Sequence, residues 1–378
     1  MCLYACISFY TQAKITFAYS IENPDFARYV TSEAQKVGID LDASWVDQKL
    51  LKVRLIQSAE SGARADVILV PADHLGMDEF VDYSVIPDSY SAPQINPLFA
   101  NSGEVEGQRL GIPVIGGNHL VLYYNKSFVD EPPLKWQTIE EHQKGFNTPI
   151  IGWSFMEMFW FIPFVNAFGD SPVVSLQPNL DTQSMRKALN YVWGLAERGI
   201  VDANCDYACN EERFLTKQTH YSINGMWAYN RYKDRLGDEL GVAPLPSIDG
   251  KPMKPYSTSF VIAFPGDALN SNKRDELLEF ITLLHTPEVQ QGLWQLRVGI
   301  PVRQDVYEQL LQSADADAKV FLSSLKNTEL MPNTRGMMII WEVLLKGFTR
   351  FGSGAMNAQQ ASLFMQRLAE RSIATQEQ

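Results

Sequence analysis

An α/β fold divided into more than one lobe is what this sequence predicts, on three observations. Strand-like segments alternate with amphipathic helical ones, the pattern of parallel βαβ units in an open sheet. The chain has 378 residues, beyond the roughly 250–300 at which a single core stops growing, so two domains or lobes are expected. Hydrophobic residues make up 46%, enough for a large core. Tandem repeats of the solenoid or propeller kind are absent from the sequence.

The elements follow in order. "ITFAYS" (15–20) reads as a strand, and "NPDFARYVTSEAQKVG" (23–38) as a capped amphipathic helix ending at Gly38. "IDLDASWV" (39–46) alternates apolar and polar, "DQKLLKVRLIQSAESG" (47–62) is helical, and "ADVILVP" (65–71) is a buried strand. In such sheets ligands sit outside the carboxyl ends of strands, here where Pro71, Ala72 and Asp73 follow "DVILV". Next come a strand at 119–125, a helix at 181–199, a strand at 259–265 and a helix at 272–286 that leads into 287–303. A final helical stretch spans 336–374, broken near "FGSG" at 351–354.

Composition narrows the function classes. The net charge is −12 and the pI about 5.0, and phosphate recognition rests on Lys/Arg clusters, so no nucleic acid partner is expected. The densest basic patch, "NRYKDR" (230–235), is interrupted by Asp234. The apolar stretch "SFMEMFWFIP" (154–163), rich in aromatic residues, runs on to Phe168 but holds Glu157, Pro163 and Asn166. A bilayer span needs about 20 mostly apolar residues, so this segment is core or a binding platform.

"MCLYACISFYTQA" (1–13) has an apolar centre, with Thr11 and Ala13 at the −3 and −1 positions of an export cleavage site, but no basic start. It is expected to be a truncated signal peptide, with the mature chain beginning near Lys14 and exported to the periplasm. "LYAC" (3–6) fits a lipid-attachment site poorly because of Tyr4. Of the four cysteines, Cys2 and Cys6 would leave with the leader, and Cys205 and Cys209 remain beside a helix start at Asp206. At i, i+4 they lie within reach of a local disulfide, which an oxidising compartment would favour; two free thiols remain the other reading. No CxxC or paired histidines complete a zinc site.

Several segments taken together resemble the bacterial extracellular solute-binding proteins, specifically the maltose-binding protein group. They are "ADVILVPADHLG" (65–76), "LGIPVIGGNHLVLYYNKSFVDEPPLKWQTIEE" (110–141), "DANCDYACNEERF" (202–214), "YSINGMWAYNRY" (221–232), "GVAPLPSIDGKPMKP" (241–255) and "ELMPNTRGMMIIWEVL" (329–344). The likeness runs from about Lys14 to the C-terminus. It implies a two-lobed periplasmic-binding-protein-like fold of class II type, with the ligand cleft between the lobes and hinge crossings. Lobe 1 would comprise 14–115 and 263–312, and lobe 2 would comprise 119–257 and 318–378. Hinges would lie at 115–119, 257–263 and 313–318. The lobes would close over ligand by hinge motion and present the closed form to the membrane permease subunits of an ABC importer.

Sugar recognition asks for flat aromatic faces against the C–H groups of a pyranose, and for carboxylates or amides against its hydroxyls. The resemblance places Glu157, Phe159 and Trp160 against such a ligand, with Trp227, Trp341, Tyr207 and Met331 lining the same wall. It places Asp73 as a carboxylate to ligand hydroxyls. Phe155, Phe161 and Ile162 read as core. Lobe 1 departs from the maltodextrin-binding pattern: Val70 replaces an aromatic, His74 a basic residue and Asn118 a carboxylate, while Glu22 and Asn23 stand for an Asp–Lys pair. His74, Asn118 and Glu22 therefore join the candidate contacts, and linear α-glucan is one of several possible ligands.

The expectation is an exported binding protein for an oligosaccharide, monomeric, meeting the membrane only through its permease. No catalytic residue, cofactor or metal is expected. No GxSxG, Walker loop or HExxH occurs, and "GSG" (352–354) is a helix break. Two rivals are a polyamine or metal ligand held by Asp73, Glu22 and Glu157, and the same fold used as a sensor for a receptor.

Overall fold

The computed structural model describes residues 14–90 and 94–376; the leader and lipid-attachment readings at 1–13 lie outside the described residues. The strands gather into two main sheets, one in each of two α/β lobes. The larger has six strands in the order Ile300–Pro301, Gly111–Gly116, Phe260–Ala263, Val67–Pro71, Ile15–Tyr19 and Leu41–Trp45. Its first three strands in sequence are parallel, with Ile15 opposite Leu41 and Phe17 opposite both Ala43 and Val67. Here the βαβ reading holds.

The rest of that sheet differs from an all-parallel expectation. Phe260–Ala263 enters antiparallel between Val67–Pro71 and Gly111–Gly116. Its run is apolar and wholly buried, and such a run carries no mark of the direction of its neighbours. Pairing direction is decided by the route of the intervening chain.

That route builds the second sheet, ordered Leu240–Ala243, Leu120–Asn125, Tyr221–Gly225 and Ile151–Gly152. Only three residues, Gly117, Asn118 and His119, separate Gly116 from the strand Leu120–Asn125 of this sheet. Between them Gly117 and Asn118 take φ of 92° and 43°. Glycine adopts that region freely, and Asn is among the few other residues that tolerate it. A second crossing lies alongside: the Thr258 N–H donates to the Gly117 carbonyl at 3.0 Å. At the third expected hinge only Ala314 and Asp315 separate the helices Gln304–Ser313 and Ala316–Ser324, and the Asp315 carboxylate caps the second helix by accepting from the Ala318 N–H at 2.7 Å.

Each sheet has its own core. Phe17, Phe26, Phe280 and Leu293 fill the space between the six-stranded sheet and the helices Phe26–Lys36, Arg274–Leu284 and Pro287–Gln295. In the other lobe Trp136, Trp153, Phe155, Phe161, Phe164 and Phe348 pack with the helices Met158–Ala167, Gln183–Glu197, Met337–Gly352 and Ala358–Gln376. Trp136 and Ile139, the "W..I" of the "PPLKWQTI" stretch, are both 0% exposed. The lobes are also tied away from the strands. Arg335 makes a bidentate pair with Asp78, through Nε at 3.0 Å and Nη2 at 2.8 Å, and a third contact with Glu106.

His119, the last residue of the crossing, is 2% exposed. Its Nε2 bonds Ser324 Oγ at 2.8 Å, while Nδ1 has no partner among the described residues. Burial pushes its pKa down to about 4. The unfolded chain, with an ordinary histidine, therefore takes up the extra proton between roughly pH 6.5 and pH 4. Stability is complete above that window and is lost as the pH falls through it. His119 should contribute about 2 kcal/mol to a fall in urea stability between about pH 7.5 and about pH 5, and His119→Gln should remove that share while leaving those of His220 and His285, whose pKa values burial also pushes down.

Candidate functional site

The strand ends of both lobes face a cleft of about 420 Å³, within the roughly 300–1,000 Å³ of small-molecule sites. Ile21, Glu22 and Asn23 follow the strand Ile15–Tyr19; Asp47, Gln48 and Lys49 follow Leu41–Trp45; Asp73 and His74 follow Val67–Pro71. These are carboxyl ends of parallel strands, where open α/β sheets place ligands. From the other lobe come Glu157, Phe159, Trp160, Tyr207, Trp227, Met331 and Trp341. Asn118 also lines it, from the crossing itself. All eleven residues singled out from sequence thus line one cavity.

The aromatic wall is locked from behind. Phe155, Phe161 and Ile162 are at most 2% exposed and form the floor on which the outer residues rest. Trp160 is itself 5% exposed, and its indole N–H donates to the Ile223 carbonyl at 2.8 Å. Tyr207 and Trp227 pack edge-on against Trp160, with centroids 6.1 and 6.2 Å away. The Trp227 N–H donates to the Tyr207 hydroxyl at 3.1 Å, and Arg231 Nη2 donates to the same oxygen at 3.2 Å. Trp341 sits 6.4 Å from Phe159, and its N–H reaches across the cleft to Asp73 Oδ2 at 3.3 Å. Every tryptophan N–H of the wall therefore has a protein acceptor. What the wall has left to present is ring faces and edges.

Trp227 depends on the residue type two places earlier. A Cβ built on Gly225 would lie 1.9 to 2.2 Å from three atoms of the Trp227 ring, so only glycine lets the indole fold back over the end of the strand Tyr221–Gly225.

Polar groups face this wall. Asp73 is 8% exposed. Burial pushes its carboxyl up, but the neighbouring His74, with Nδ1 at 3.3 Å, and the Trp341 N–H outweigh that and hold it below the usual carboxylate range. It is an ionised acceptor. Glu157 is exposed, and its Oε1 accepts from Ser154 Oγ at 2.8 Å, so the carboxylate inside the apolar run turns out of the core. Asn23 Nδ2 donates to the Leu296 carbonyl at 3.1 Å. Acids (Glu22, Asp47, Asp73, Glu157) and bases (Lys49, Arg297) share the cleft, a mixed field suited to a neutral ligand.

Sequence reasoning missed Asp47, Gln48, Lys49, Thr258, Phe260, Arg297 and Val298. The first three follow a strand and were open to the same strand-end argument as Asp73. Arg297 had no signal. It lies at φ 57° after the helix Pro287–Gln295, with its guanidinium 4.5 Å from the Trp294 ring and 5.6 Å from the Tyr229 ring. Cys205 and Cys209 form a disulfide with Cα atoms 5.2 Å apart, which settles the choice the sequence left open.

Comparison with known proteins adds four likenesses. A family model described as bacterial extracellular solute-binding protein matches residues 33–321. The maltotriose-binding protein of Pyrococcus abyssi is 26% identical over 262 residues, 65% of this chain and 55% of that protein; the match spans little more than half of that relative. The maltooligosaccharide ABC transporter solute-binding lipoprotein of Streptococcus pneumoniae, in two strains, is 21% identical over 324 residues, 80% of this chain and 75% of the relative. Among solved structures, the maltose/maltodextrin-binding domain MalE from Bdellovibrio bacteriovorus, bound to maltotriose, superposes with a TM-score of 0.86 at 21% identity. That match covers 96% of this chain and 100% of the other, so the fold is the two-lobed one.

Proposed function

Because the chain belongs to the bacterial extracellular solute-binding protein family, we propose that it is an exported, periplasmic binding protein for an oligosaccharide of the maltodextrin type. It hands that ligand to the permease subunits of an ABC importer and acts as a monomeric carrier, with no chemistry performed on the sugar. One observation carries this reading. The cleft sets aromatic faces whose N–H groups are already bonded within the protein against an ionised carboxylate, an amide and a histidine on the facing lobe. A pyranose has apolar C–H faces and a hydroxyl rim, and it meets both halves. The relatives that bind maltotriose or belong to maltooligosaccharide transporters support the choice of sugar.

In this reading residues 14–115 and 263–312 move as one lobe and 119–257 with 318–378 as the other. The bend falls on the crossings near 115–119, 257–263 and 313–318. Gly117 and Asn118, with positive φ, and the Thr258–Gly117 hydrogen bond between adjacent crossings support that placement. Phe260–Ala263 is a strand inside the six-stranded sheet, which favours a bend in the second crossing before residue 260. Lys49 and Arg297 in the cleft weigh against a polyamine or metal cation, since like charge disfavours such a guest.

A thermal-shift screen tests the proposal. Maltotriose at 100 times its Kd should stabilise the fold by about 2.7 kcal/mol. With unfolding entropy of about 2.1 cal/mol/K per residue, a rise of about 3 °C in Tm follows. A rise with a polyamine or divalent cation and none with any mono- or oligosaccharide would overturn the sugar reading.

A further inference from the structure

The disulfide Cys205–Cys209 encloses a residue of the cleft. Tyr207 lies midway between the two cysteines and is the first residue of the helix Tyr207–Leu215. A ring of five residues restrains the unfolded chain less than a long loop does. The helix start is already capped without it, since the Asp206 carboxylate accepts from the Cys209 N–H at 2.9 Å. Stabilisation of the whole fold is a weak reason for such a bond. Its place offers a stronger one.

Cys205 is 3% exposed. Its N–H donates to the Asp202 carbonyl at 3.1 Å, and its carbonyl accepts from the Phe155 N–H at 3.4 Å. Phe155 stands between Ser154 and Glu157, which bond to each other, so Cys205 is anchored to the turn that carries the cleft carboxylate. Cys209 is anchored in the helix. The Tyr207 hydroxyl accepts from both Trp227 and Arg231, and its ring packs against Trp160. A helix's first turn lacks intrahelical acceptors for its N–H groups and frays most easily. Here that turn supports two tryptophans.

We propose that the Cys205–Cys209 disulfide is a positioning element of the ligand cleft. It holds Tyr207, and through Tyr207 the Trp227 indole, in the geometry that receives a ring-shaped ligand. This rests on the reading of the cleft given above, although the ordering of Tyr207 does not. Reduction by a dithiol delivers two electrons and two protons to the bond, leaves two thiols and closes the reagent into its own cyclic disulfide. The first turn then keeps only its Asp206 cap and frays more readily, and the Trp227 N–H loses its fixed acceptor.

The experiment compares oxidised protein, dithiothreitol-reduced protein and Cys205→Ser/Cys209→Ser by hydrogen exchange and by titration with maltotriose. Reduction should speed exchange at residues 205–211 at least tenfold and weaken maltotriose at least fivefold, with Tm changed little. The double serine variant should match the reduced protein and ignore dithiothreitol. In Tyr207→Phe, which keeps the ring and lacks the acceptor, reduction should change affinity much less, because the two changes act on one linkage. Equal exchange at 205–211 before and after reduction would overturn the proposal, as would equal affinity in protein that binds maltotriose. If the oxidised protein binds no sugar at all, the cleft reading fails, and exchange alone still decides whether the disulfide orders Tyr207.

Discussion

Trp227→Ala and Trp341→Ala should each weaken maltodextrin binding at least tenfold, about 1.4 kcal/mol, with the fold retained. Both side chains are half-buried at the cleft surface rather than deep in the core, so truncation removes a face offered to ligand more than it opens a cavity. Gly225→Ala should have a similar effect although glycine has no side chain to contact a sugar. The new methyl would overlap the Trp227 ring, and the backbone around it is pinned: the Gly225 carbonyl accepts from the Tyr123 hydroxyl at 2.8 Å, and its N–H donates to Asn224 Oδ1 at 2.9 Å. The indole must yield. Titration calorimetry with maltotriose, beside circular dichroism melts, checks all three. Unchanged affinity in both tryptophan variants would remove the aromatic wall from the mechanism, and unchanged affinity in Gly225→Ala would show that the ring position is immaterial.

Trp136→Ala should cost about 3–5 kcal/mol of stability, the usual range for deleting a large buried aromatic. Trp136 is fully buried, with Phe164 at 5.2 Å and Trp153 at 6.0 Å, both edge-on. These neighbours are themselves buried against strands and helices, so the site has little freedom to collapse into the void. Its indole N–H has no acceptor among the described residues. Trp136→Phe therefore leaves no new polar group stranded and should lose much less. Urea unfolding followed by fluorescence and circular dichroism measures both. A loss under about 1.5 kcal/mol for Trp136→Ala would show that the surrounding rings repack.

The "SFMEMFWFIP" segment shows what could be read in advance. Its split into core (Phe155, Phe161, Ile162) and cleft (Glu157, Phe159, Trp160) agrees with their placement. One charged group in an apolar run must find water or a partner, and Glu157 does both. Trp160 was legible only in part. It borders the cleft, but 5% exposure and the bond to Ile223 make it chiefly a support for Tyr207 and Trp227. Composition could not reveal that, because the same indole serves either purpose.

The opposite lobe was less legible. Asp73 could be located because it follows a strongly buried strand, whereas Arg297 came from a turn with no periodic pattern. Asp47, Gln48 and Lys49 lie at the start of a helix whose apolar residues point two ways: Leu51 and Leu55 are buried while Leu50 and Val53 are exposed.

By itself the sequence determined the α/β class, the opening run of alternating strands and helices over 15–71, the core placement of Phe155, Phe161 and Ile162 and the helix start at Asp206, since these depend on side-chain periodicity and local capping over a few residues. The tertiary structure alone decided the antiparallel entry of Phe260–Ala263, the bond between Cys205 and Cys209, the Arg335–Asp78–Glu106 tie and the convergence of Asp73 on Trp341. Asp73 and Trp341 are 268 residues apart, and whether such groups meet depends on how the whole intervening chain is routed, which no local pattern records.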